Sequence, residues 1–304
     1  MNTNNLTLQS HKIVLVTDRN MLSPTMFTAW TLLQRFTGCV DLHISGDGLT
    51  DVDWSAVEQV CSTFDDIKLN LLQLNKEELT GASSVGTYIS AAAMGRLIIP
   101  RKLSGRVLYL DGDVRVVSDL SPLFRIDMQG QPIAAVRDYV VSKWLANGIK
   151  EGHRNEARLA ELRDSMGGGP ASEYFNSGVL LMNIDDIIAE TTLAEGMMDL
   201  ERASKCSWGD QDHLNNVFAG RARLLDPAYN SSWSRTSEQR KFIMKLDPLP
   251  YEIEDIPNAI VHFHGPKKPW HNSRKDFWSR RGRAVFLYRR ELVKFNSRFP
   301  NLAF

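Results

Sequence analysis

The sequence predicts an α/β chain built on a mostly parallel central sheet flanked by helices. Short apolar runs of strand length stop abruptly at polar clusters, as where residues 12–17 (K-I-V-L-V-T) meet Asp18-Arg19-Asn20. Segments with helical spacing separate these runs, and strands alternating with helices point to a parallel, twisted sheet. The 304 residues, 43% of them hydrophobic, are enough to bury a sizeable core.

The elements follow in order. After the first strand, Ser23-Pro24 offers an N-cap and a first-turn proline for a helix to about Phe36. Residues 40–44 form a second strand, and Asp51 or Asp53 can cap a helix with Trp54, Val57, Val60, Cys61 and Phe64 on one face. A third strand is expected at 69–72, a helix at 88–99 closed by Pro100, and a fourth strand at 107–110 that stops at Asp111. A fifth strand at 133–136 precedes residues 138–173, which contain G-G-G-P and read as an insertion outside the core. Residues 175–183 are a buried run, 210–218 a helix and 260–264 a last short strand. Ligands of such open sheets bind beyond the carboxyl ends of the strands, which directs attention to residues 18–20, 111–113, Asp138 and 262–268.

Composition narrows the class. Lys plus Arg equals Asp plus Glu at 36 each, so global charge gives no reason to expect a nucleic-acid partner. Cys39, Cys61 and Cys206 are widely spaced, which fits neither a disulfide framework nor a zinc site, and they read as reduced, mostly buried thiols. Residues 1–11 carry no apolar leader segment, and no stretch approaches the roughly 18 apolar residues of a membrane span. A cytoplasmic location is therefore expected, and the N-x-[ST] matches at Asn5 and Asn230 are read as chance.

D-x-D occurs three times, at Asp51/Asp53, Asp111/Asp113 and Asp210/Asp212, and by itself identifies nothing. The first pair sits before a helix and reads as capping. The second follows R-V-L-Y-L at the carboxyl end of a strand, where two carboxylates flanking a glycine can turn toward one hard divalent cation. Such a cation takes one or two carboxylates and fills its shell with phosphate oxygens, which suits a diphosphate ligand. The same pair would equally suit a turn whose aspartates bond their own backbone.

Beyond that pair, R-L-I-I-P (residues 96–100) and R-V-L-Y-L-D-G-D-V-R-V-V-S-D-L-S-P-L-F (106–124) resemble the central motif of family 8 glycosyltransferases. This family includes bacterial lipopolysaccharide galactosyl- and glucosyltransferases and glycogenin. Further matches follow in the family's order: F-N-S-G-V-L-L-M-N (175–183), D-Q-D (210–212) and H-F-H-G-P-K-K-P-W (262–270). The resemblance implies a GT-A fold with a Rossmann-like sheet, a UDP-hexose donor, Mn²⁺ (with Mg²⁺ as the alternative), and transfer of galactose or glucose with retention of configuration. The implied acceptor is a glycan or glycolipid, such as lipopolysaccharide.

Carried over by register, the implied metal ligands are Asp111, Asp113 and His262, and an imidazole ligand favours manganese. Lys268 matches the lysine that holds the donor diphosphate, and Gly265 would let the backbone approach it. His264 falls at a variable position and reads as structural. Val16, Asp18 and Asn20 match positions at the nucleoside, where Met21 replaces the family's frequent aromatic residue. Arg96, Gly112, Asp138, Asn176 and Ser177 match residues around the donor, with Arg96 alternatively a helix-surface residue and Asn176 a turn residue.

Asp210, Gln211 and Asp212 match the region of catalysis. Retention requires either two inversions through a covalent intermediate or departure and attack on one face. A neutral amide at Gln211 is a poor nucleophile, which favours same-face substitution with Gln211 stabilising positive charge on the sugar. Asp212 is the nearest carboxylate but could equally anchor its helix. The rival readings are a non-catalytic nucleotide-sugar-binding module and a nucleotidyltransferase. The second would want a glycine-rich phosphate loop, and residues 17–23 contain no glycine, which also disfavours a dinucleotide-binding dehydrogenase.

The chain divides on this reading into a catalytic domain (1–270) and a basic, aromatic tail (271–304). Residues 267–304 hold eleven Lys or Arg against Asp276 and Glu291. Helical spacing puts Val285, Tyr288, Leu292, Phe295 and Phe299 near one face, which suits either peripheral contact with the inner face of an anionic membrane or docking on the catalytic domain.

Overall fold

The computed structural model describes residues 10–83, 91–150, 152–153, 155–249, 251–271 and 277–304. Residues 1–9 with Asn5, the start of the helix expected at 88, and Arg274, Lys275 and Asp276 of the tail lie outside the described residues.

The strands are β1 (His11–Asp18), β2 (Val40–Asp47), β3 (Ile67–Leu74), β4 (Arg106–Leu110), β5 (Val114–Val116), β6 (Ile133–Arg137), β7 (Phe175–Asn183), β8 (Ala222–Leu224), β9 (Ser231–Ser232) and β10 (Ile260–His262). Seven of them form one sheet in the order β3-β2-β1-β4-β7-β6-β8. Its β3-β2-β1-β4 half is parallel, while β7 runs antiparallel to both β4 and β6. The remaining three pair as β5-β10-β9 in a small second sheet.

Alternation along the central strands separates two cores. Ile13, Leu15, Leu108, Leu110, Val179 and Leu181 face one side, and Val14, Val16, Val107, Tyr109, Leu180 and Met182 the other. A sheet covered on both faces explains the near-continuous apolar runs in the sequence.

The α-helices are α1 (Leu22–Leu33), α2 (Asp51–Cys61), α3 (Tyr139–Asn147), α4 (Asn155–Ser165), α5 (Ile184–Ala189), α6 (Thr191–Met197), α7 (Leu200–Ser204), α8 (Asp210–Val217), α9 (Thr236–Ile243) and α10 (Arg280–Arg298). Several differ from expectation. Ser23 does not cap α1: Met21 holds the N-cap position without a side-chain bond, and the preceding turn is tied instead by the Met21 amide donating to Asp18 at 2.9 Å. Thr50, not an aspartate, caps α2, with Asp53 completing a reciprocal capping box. The helix closed by Pro100 is 3₁₀ over Ala91–Arg101 and runs through that proline. Residues 138–173 contain α3 and α4, and Val141, Leu162, Met166 and Tyr174 form a small cluster apart from both main cores.

The C-terminal helix packs into the larger core. Val285, Tyr288, Leu292, Phe295 and Phe299 are buried there, with Phe27–Tyr288 ring centroids at 4.6 Å and Phe263–Tyr288 at 5.0 Å. Glu291 pairs with both Arg35 and Arg115, locking the helix to the turn after α1 and to β5. Arg281, Arg283, Arg290, Lys294 and Arg298 remain exposed.

One buried ion pair fastens the irregular segment after α9. The Arg137 guanidinium, 1% exposed, donates to Glu252 through Nε at 2.6 Å and Nη2 at 2.7 Å, and to the Ser172 carbonyl at 2.8 Å. Around it Asp247, Tyr251 and Asp255 take left-handed backbone conformations that non-glycine residues adopt only when held. Removing one member of such a pair leaves an uncompensated buried charge. Glu252→Ala should therefore lower stability by about 3–5 kcal/mol, read as a drop in the urea midpoint.

Candidate metal and donor site

A cleft of about 360 Å³ opens at the carboxyl end of the parallel half-sheet. β1 delivers Val16, Thr17 and Asp18 to it, β4 delivers Tyr109 and, just past its end, Asp111, and Asp138, Asn176 and Ser177 come from the opposite half of the sheet. This is where an open α/β sheet leaves strand-end groups unpaired and free for a ligand.

Asp111 and Asp113 lie on the short link between β4 and β5. Antiparallel pairing of β5 with β10, in register Val114 to His262, then brings in a histidine 149 positions along the chain from Asp113 (262 minus 113). His262 Nε2 stands 3.1 Å from Asp113 Oδ1 and 3.7 Å from Asp111 Oδ2, and one ligand atom from each residue lies within 4.8 Å of the others. Two carboxylates and an imidazole at this spacing fit a divalent cation with positions left for further oxygen ligands.

Gly178 makes room for the cluster. A Cβ there would stand 2.3 Å from His262 Cε1 and 2.6 Å from Asp111 Oδ2, so only glycine fits. The Gly178 carbonyl also accepts from the Asp111 amide at 2.8 Å, which fixes the strand end beneath the carboxylate. Gly112 is equally confined, since a Cβ would fall 2.2 Å from Thr25 Oγ1.

Charge is balanced from two sides. Arg96 is 6% exposed, bonded to Asp111 Oδ1 at 2.8 Å, to Asp210 Oδ2 at 2.9 Å and to the Ser177 carbonyl at 2.9 Å. Against burial, which disfavours its charge, the two aspartates hold the guanidinium protonated. Lys268 bonds Asp113, and despite burial Lys268 and His262 hold that carboxyl well below the usual range. Asp210 moves the other way, its pKa raised by burial that Arg96 only partly offsets.

The side wall is a polar network. Asp138 caps α3 through Oδ1, accepting from the Val140 and Val141 amides, and accepts from Asn176 Nδ2 at 3.2 Å through Oδ2. Gln211 Oε1 accepts from Asn176 Nδ2 at 2.9 Å and the Ser177 amide at 3.3 Å, while its Nε2 donates to Tyr174 Oη at 3.2 Å.

Of the residues singled out from sequence, Val16, Asp18, Arg96, Asp111, Gly112, Asp113, Asp138, Asn176, Ser177, Asp210, Gln211, His262, Gly265 and Lys268 all line this cleft. Asn20 lies on the exposed turn after β1, outside the lining. Asp212 turns away, its carboxylate taken by Arg158, by Tyr174 Oη at 2.6 Å and by the Trp208 amide at 2.8 Å, so it anchors α8.

Tyr109, Trp208 and His264 line the cleft without having been singled out for it. Tyr109 donates to Asp111 Oδ1 at 2.6 Å, and its place two residues before the D-x-D was the only available signal. His264 lies 2.6 Å from Ser232 Oγ, and burial followed by the neighbouring His262 lowers its pKa to about 4, leaving it neutral near pH 7. Arg96 is no surface residue, and Asn230, matched by sequence only to a glycosylation pattern, is buried beside His262.

Comparison with known proteins accords with this geometry. The family model "Glycosyl transferase family 8" matches residues 12–274. A lipopolysaccharide 1,3-galactosyltransferase of Salmonella typhimurium is 29% identical over 170 residues, covering 55% of this chain and 44% of that protein. The lipopolysaccharide glucosyltransferase WaaO of Escherichia coli is 25% identical, with 86% and 73% covered. Matches to a putative glycosyltransferase of Haemophilus influenzae and to GlyF of Streptococcus pneumoniae span 63% and 56% of those relatives' lengths, so this chain spans about half to two-thirds of several curated relatives. Among solved structures, the galactosyltransferase LgtC with donor and acceptor sugar analogues aligns with TM-score 0.68 at 22% identity, covering 92% of this chain and 95% of that one. An LgtC active-site mutant aligns at 0.70 and 20%, covering 93% and 95%. At such identities the structures show the shared GT-A fold.

The contacts at Gly178 generate a direct test. If the cluster holds a divalent cation, Gly178→Ala should weaken its binding by at least the roughly 10–100-fold that follows from disturbing ligand placement, as titrated by electron paramagnetic resonance with Mn²⁺ as the probe. Unchanged affinity in a folded variant would show that the three ligands do not act together.

Proposed function

This chain belongs to glycosyltransferase family 8, and from that premise we propose that it is a Mn²⁺-dependent retaining hexosyltransferase. On this reading it moves galactose or glucose from a UDP-sugar to a glycan or glycolipid acceptor such as lipopolysaccharide. The observation that carries the proposal is the convergence of Asp111, Asp113 and His262 with Lys268 in the same cleft as Asp138, Asn176 and Gln211. A cation site next to a lysine suits a diphosphate, and a wall of carboxylate and amide groups suits a hexose rich in hydroxyls.

The residues divide into three tasks. Asp111, Asp113 and His262 would hold the cation, which when bound would neutralise charge building on the departing UDP. Lys268, on release from Asp113, would donate to the diphosphate and stabilise the same charge. Val16, Asp18 and Met21 would receive the nucleoside, with Met21 covering the base, and Gly265, at φ +89°, would let the backbone approach the phosphates.

Asp138, Asn176, Arg96 and Ser177 would orient the hexose. Gln211 is held by hydrogen bonds at both ends of its amide, which suits a fixed dipole facing positive charge on the sugar better than a nucleophile. Asp210 is committed to Arg96 and supports the wall rather than attacking. The favoured course is therefore departure and attack on one face, with a UDP phosphate oxygen taking the acceptor's proton.

Mixing the protein with UDP-galactose or UDP-glucose and Mn²⁺ should release UDP slowly, water standing in for the acceptor. Asp113→Asn should reduce that rate by about 10²–10³-fold, the usual loss for one electrostatic contact at a reacting centre. Turnover that survives EDTA would overturn the cation's role. Tight UDP binding without hydrolysis or transfer across a UDP-sugar panel would instead make the chain a non-catalytic binding module.

We further propose peripheral contact with an anionic membrane, the surface at which a glycolipid acceptor resides. Among the described residues no helix is long and apolar enough to cross a membrane. The outward stripe of α10, however, combines exposed Phe286, Leu287 and Val293 with Arg283, Arg290 and Lys294 at helical spacing. Each such cation contributes about 1 kcal/mol near an anionic surface. Co-sedimentation with vesicles containing anionic lipid should be salt-sensitive and should fall when Phe286 and Val293 are changed to Ser. Equal sedimentation of both proteins would rule out this stripe as the contact.

A further inference from the structure

We propose that Asn230 is a positioning residue that orients the His262 ring, keeping a proton on Nδ1 so that Nε2 is the nitrogen offered to a cation between Asp111 and Asp113. The proposal rests on the cation-site reading above. A neutral imidazole has one donor and one acceptor nitrogen, and only the unprotonated nitrogen can bind a metal ion. Which nitrogen carries the proton depends on what the other face of the ring meets.

At His262 that partner is Asn230, whose Oδ1 lies 2.9 Å from Nδ1. An amide could in principle present either its oxygen or its nitrogen. Here the choice is forced from further along the network. Asn176 Oδ1 accepts from the backbone amide of Gly178 at 3.1 Å, and a backbone N–H can only donate. Asn176 Nδ2 in turn faces Asp138 Oδ2 at 3.2 Å, and a carboxylate accepts. Both ends fix the same orientation of Asn176, with its oxygen toward Asn230.

Asn230 must therefore offer Nδ2 to Asn176, at 2.9 Å, and Oδ1 to His262. The ring answers with an Nδ1–H, which leaves Nε2, 3.1 Å from Asp113 Oδ1, as the nitrogen that a cation held by the two aspartates would take once it gives up any proton. Asp138, Asn176, Asn230 and His262 are all at most 8% exposed, so water does not compete for these bonds.

The backbone holds Asn230 as firmly. It ends a 3₁₀ turn, Pro227–Asn230, capped by Asp226, which Arg240 clamps with Nε at 2.9 Å and Nη2 at 2.6 Å. The next two residues form β9, paired in parallel with β10 so that Ser232 lies opposite His262. Asn230 and the histidine it orients are thus set by adjacent strands of one sheet.

Three measurements test this. In the metal-free protein, long-range ¹H–¹⁵N correlation of ¹⁵N-histidine, assigned by comparison with His262→Gln, should show a proton on His262 Nδ1, whether or not Nε2 also carries one toward Asp113. Asn230→Ala should abolish that preference and raise the Mn²⁺ dissociation constant about 10–100-fold by electron paramagnetic resonance titration. Asn230→Asp keeps an acceptor for Nδ1, so it should retain the tautomer and bind Mn²⁺ at least ten times more tightly than Asn230→Ala.

A ring with no proton on Nδ1 in the unsubstituted protein would overturn the proposal, as would an Asn230→Ala protein unchanged in both Nδ1 protonation and affinity. Should Asn230→Ala not fold, the tautomer of the unsubstituted protein and of Asn230→Asp decides, and loss of the Nδ1 proton in Asn230→Asp counts against it. Failure of the unsubstituted protein to bind Mn²⁺ would instead bring down the cation reading. Mn²⁺ binding that is indifferent to Asn230 brings down only the role assigned to this residue.

Discussion

Bringing Asp111 and Asp210 into one largely buried region beside Asp113 depends on the guanidinium of Arg96. It is 6% exposed and makes ionic bonds to Asp111 and Asp210 while donating to the Ser177 carbonyl, joining β4, β7 and α8 at one point. Carboxylates packed this closely would otherwise repel one another or take up protons, since burial without a partner disfavours their charge. The planar fork of an arginine can serve several acceptors at once, which a lysine cannot do with the same geometry. Tyr109, stacked against Arg96 at 4.6 Å and bonded to Asp111, limits the orientations open to both.

The second organising device is the small sheet β5-β10-β9. The main sheet alone places Asp111 at a strand end, as open α/β sheets place their ligand groups. It is the three-residue pairing of β5 with β10 that brings His262 beside the two aspartates, and β9 that carries Asn230 to the other side of the histidine ring. Gly178 completes this arrangement by omission, because its missing side chain is the space in which His262 and Asp111 meet. A site assembled from short strands far apart in sequence is costly to form early in folding, and the large cores on either side of the main sheet provide the stability on which it draws.

The C-terminal helix shows how one amphipathic segment can serve two surfaces. Its inward stripe of Val285, Tyr288, Leu292 and Phe295 belongs to the same core as Phe27 and Trp30, so the helix is part of the folded body. Arg283, Arg290, Lys294 and Arg298 stay in solvent, where charge is inexpensive, while Arg289 donates to the Pro269 and His271 carbonyls and Glu291 is captured by Arg35 and Arg115 of the body. The sequence marked both the apolar stripe and the excess of basic residues, and left open whether the stripe met lipid or protein. The presence of complementary aromatic surface on α1 decided it, which no property of residues 280–298 in isolation could reveal.

Local chemistry explains how much was legible beforehand. Strands β1, β4, β6 and β7 could be read because burial on both faces requires near-continuous apolar runs, and β2 because Val40, Leu42 and Ile44 alternate with polar residues. Strands β5, β8 and β9 are two or three residues long and leave no periodic trace, and the antiparallel direction of β7 is a property of neighbours rather than of its own residues. In the site, Asp111, Asp113, His262 and Lys268 stood out because their motif spacing is local. Asn230 and Tyr109 did not, and Asp212 stood out although its carboxylate serves α8 instead. By itself the sequence determined the alternation of the elements and the chemical types gathered at the strand ends. Only the tertiary structure decided which of those groups meet, because hydrogen-bond partners, ion-pair balance and the direction of a carboxylate are set by contacts between residues far apart along the chain.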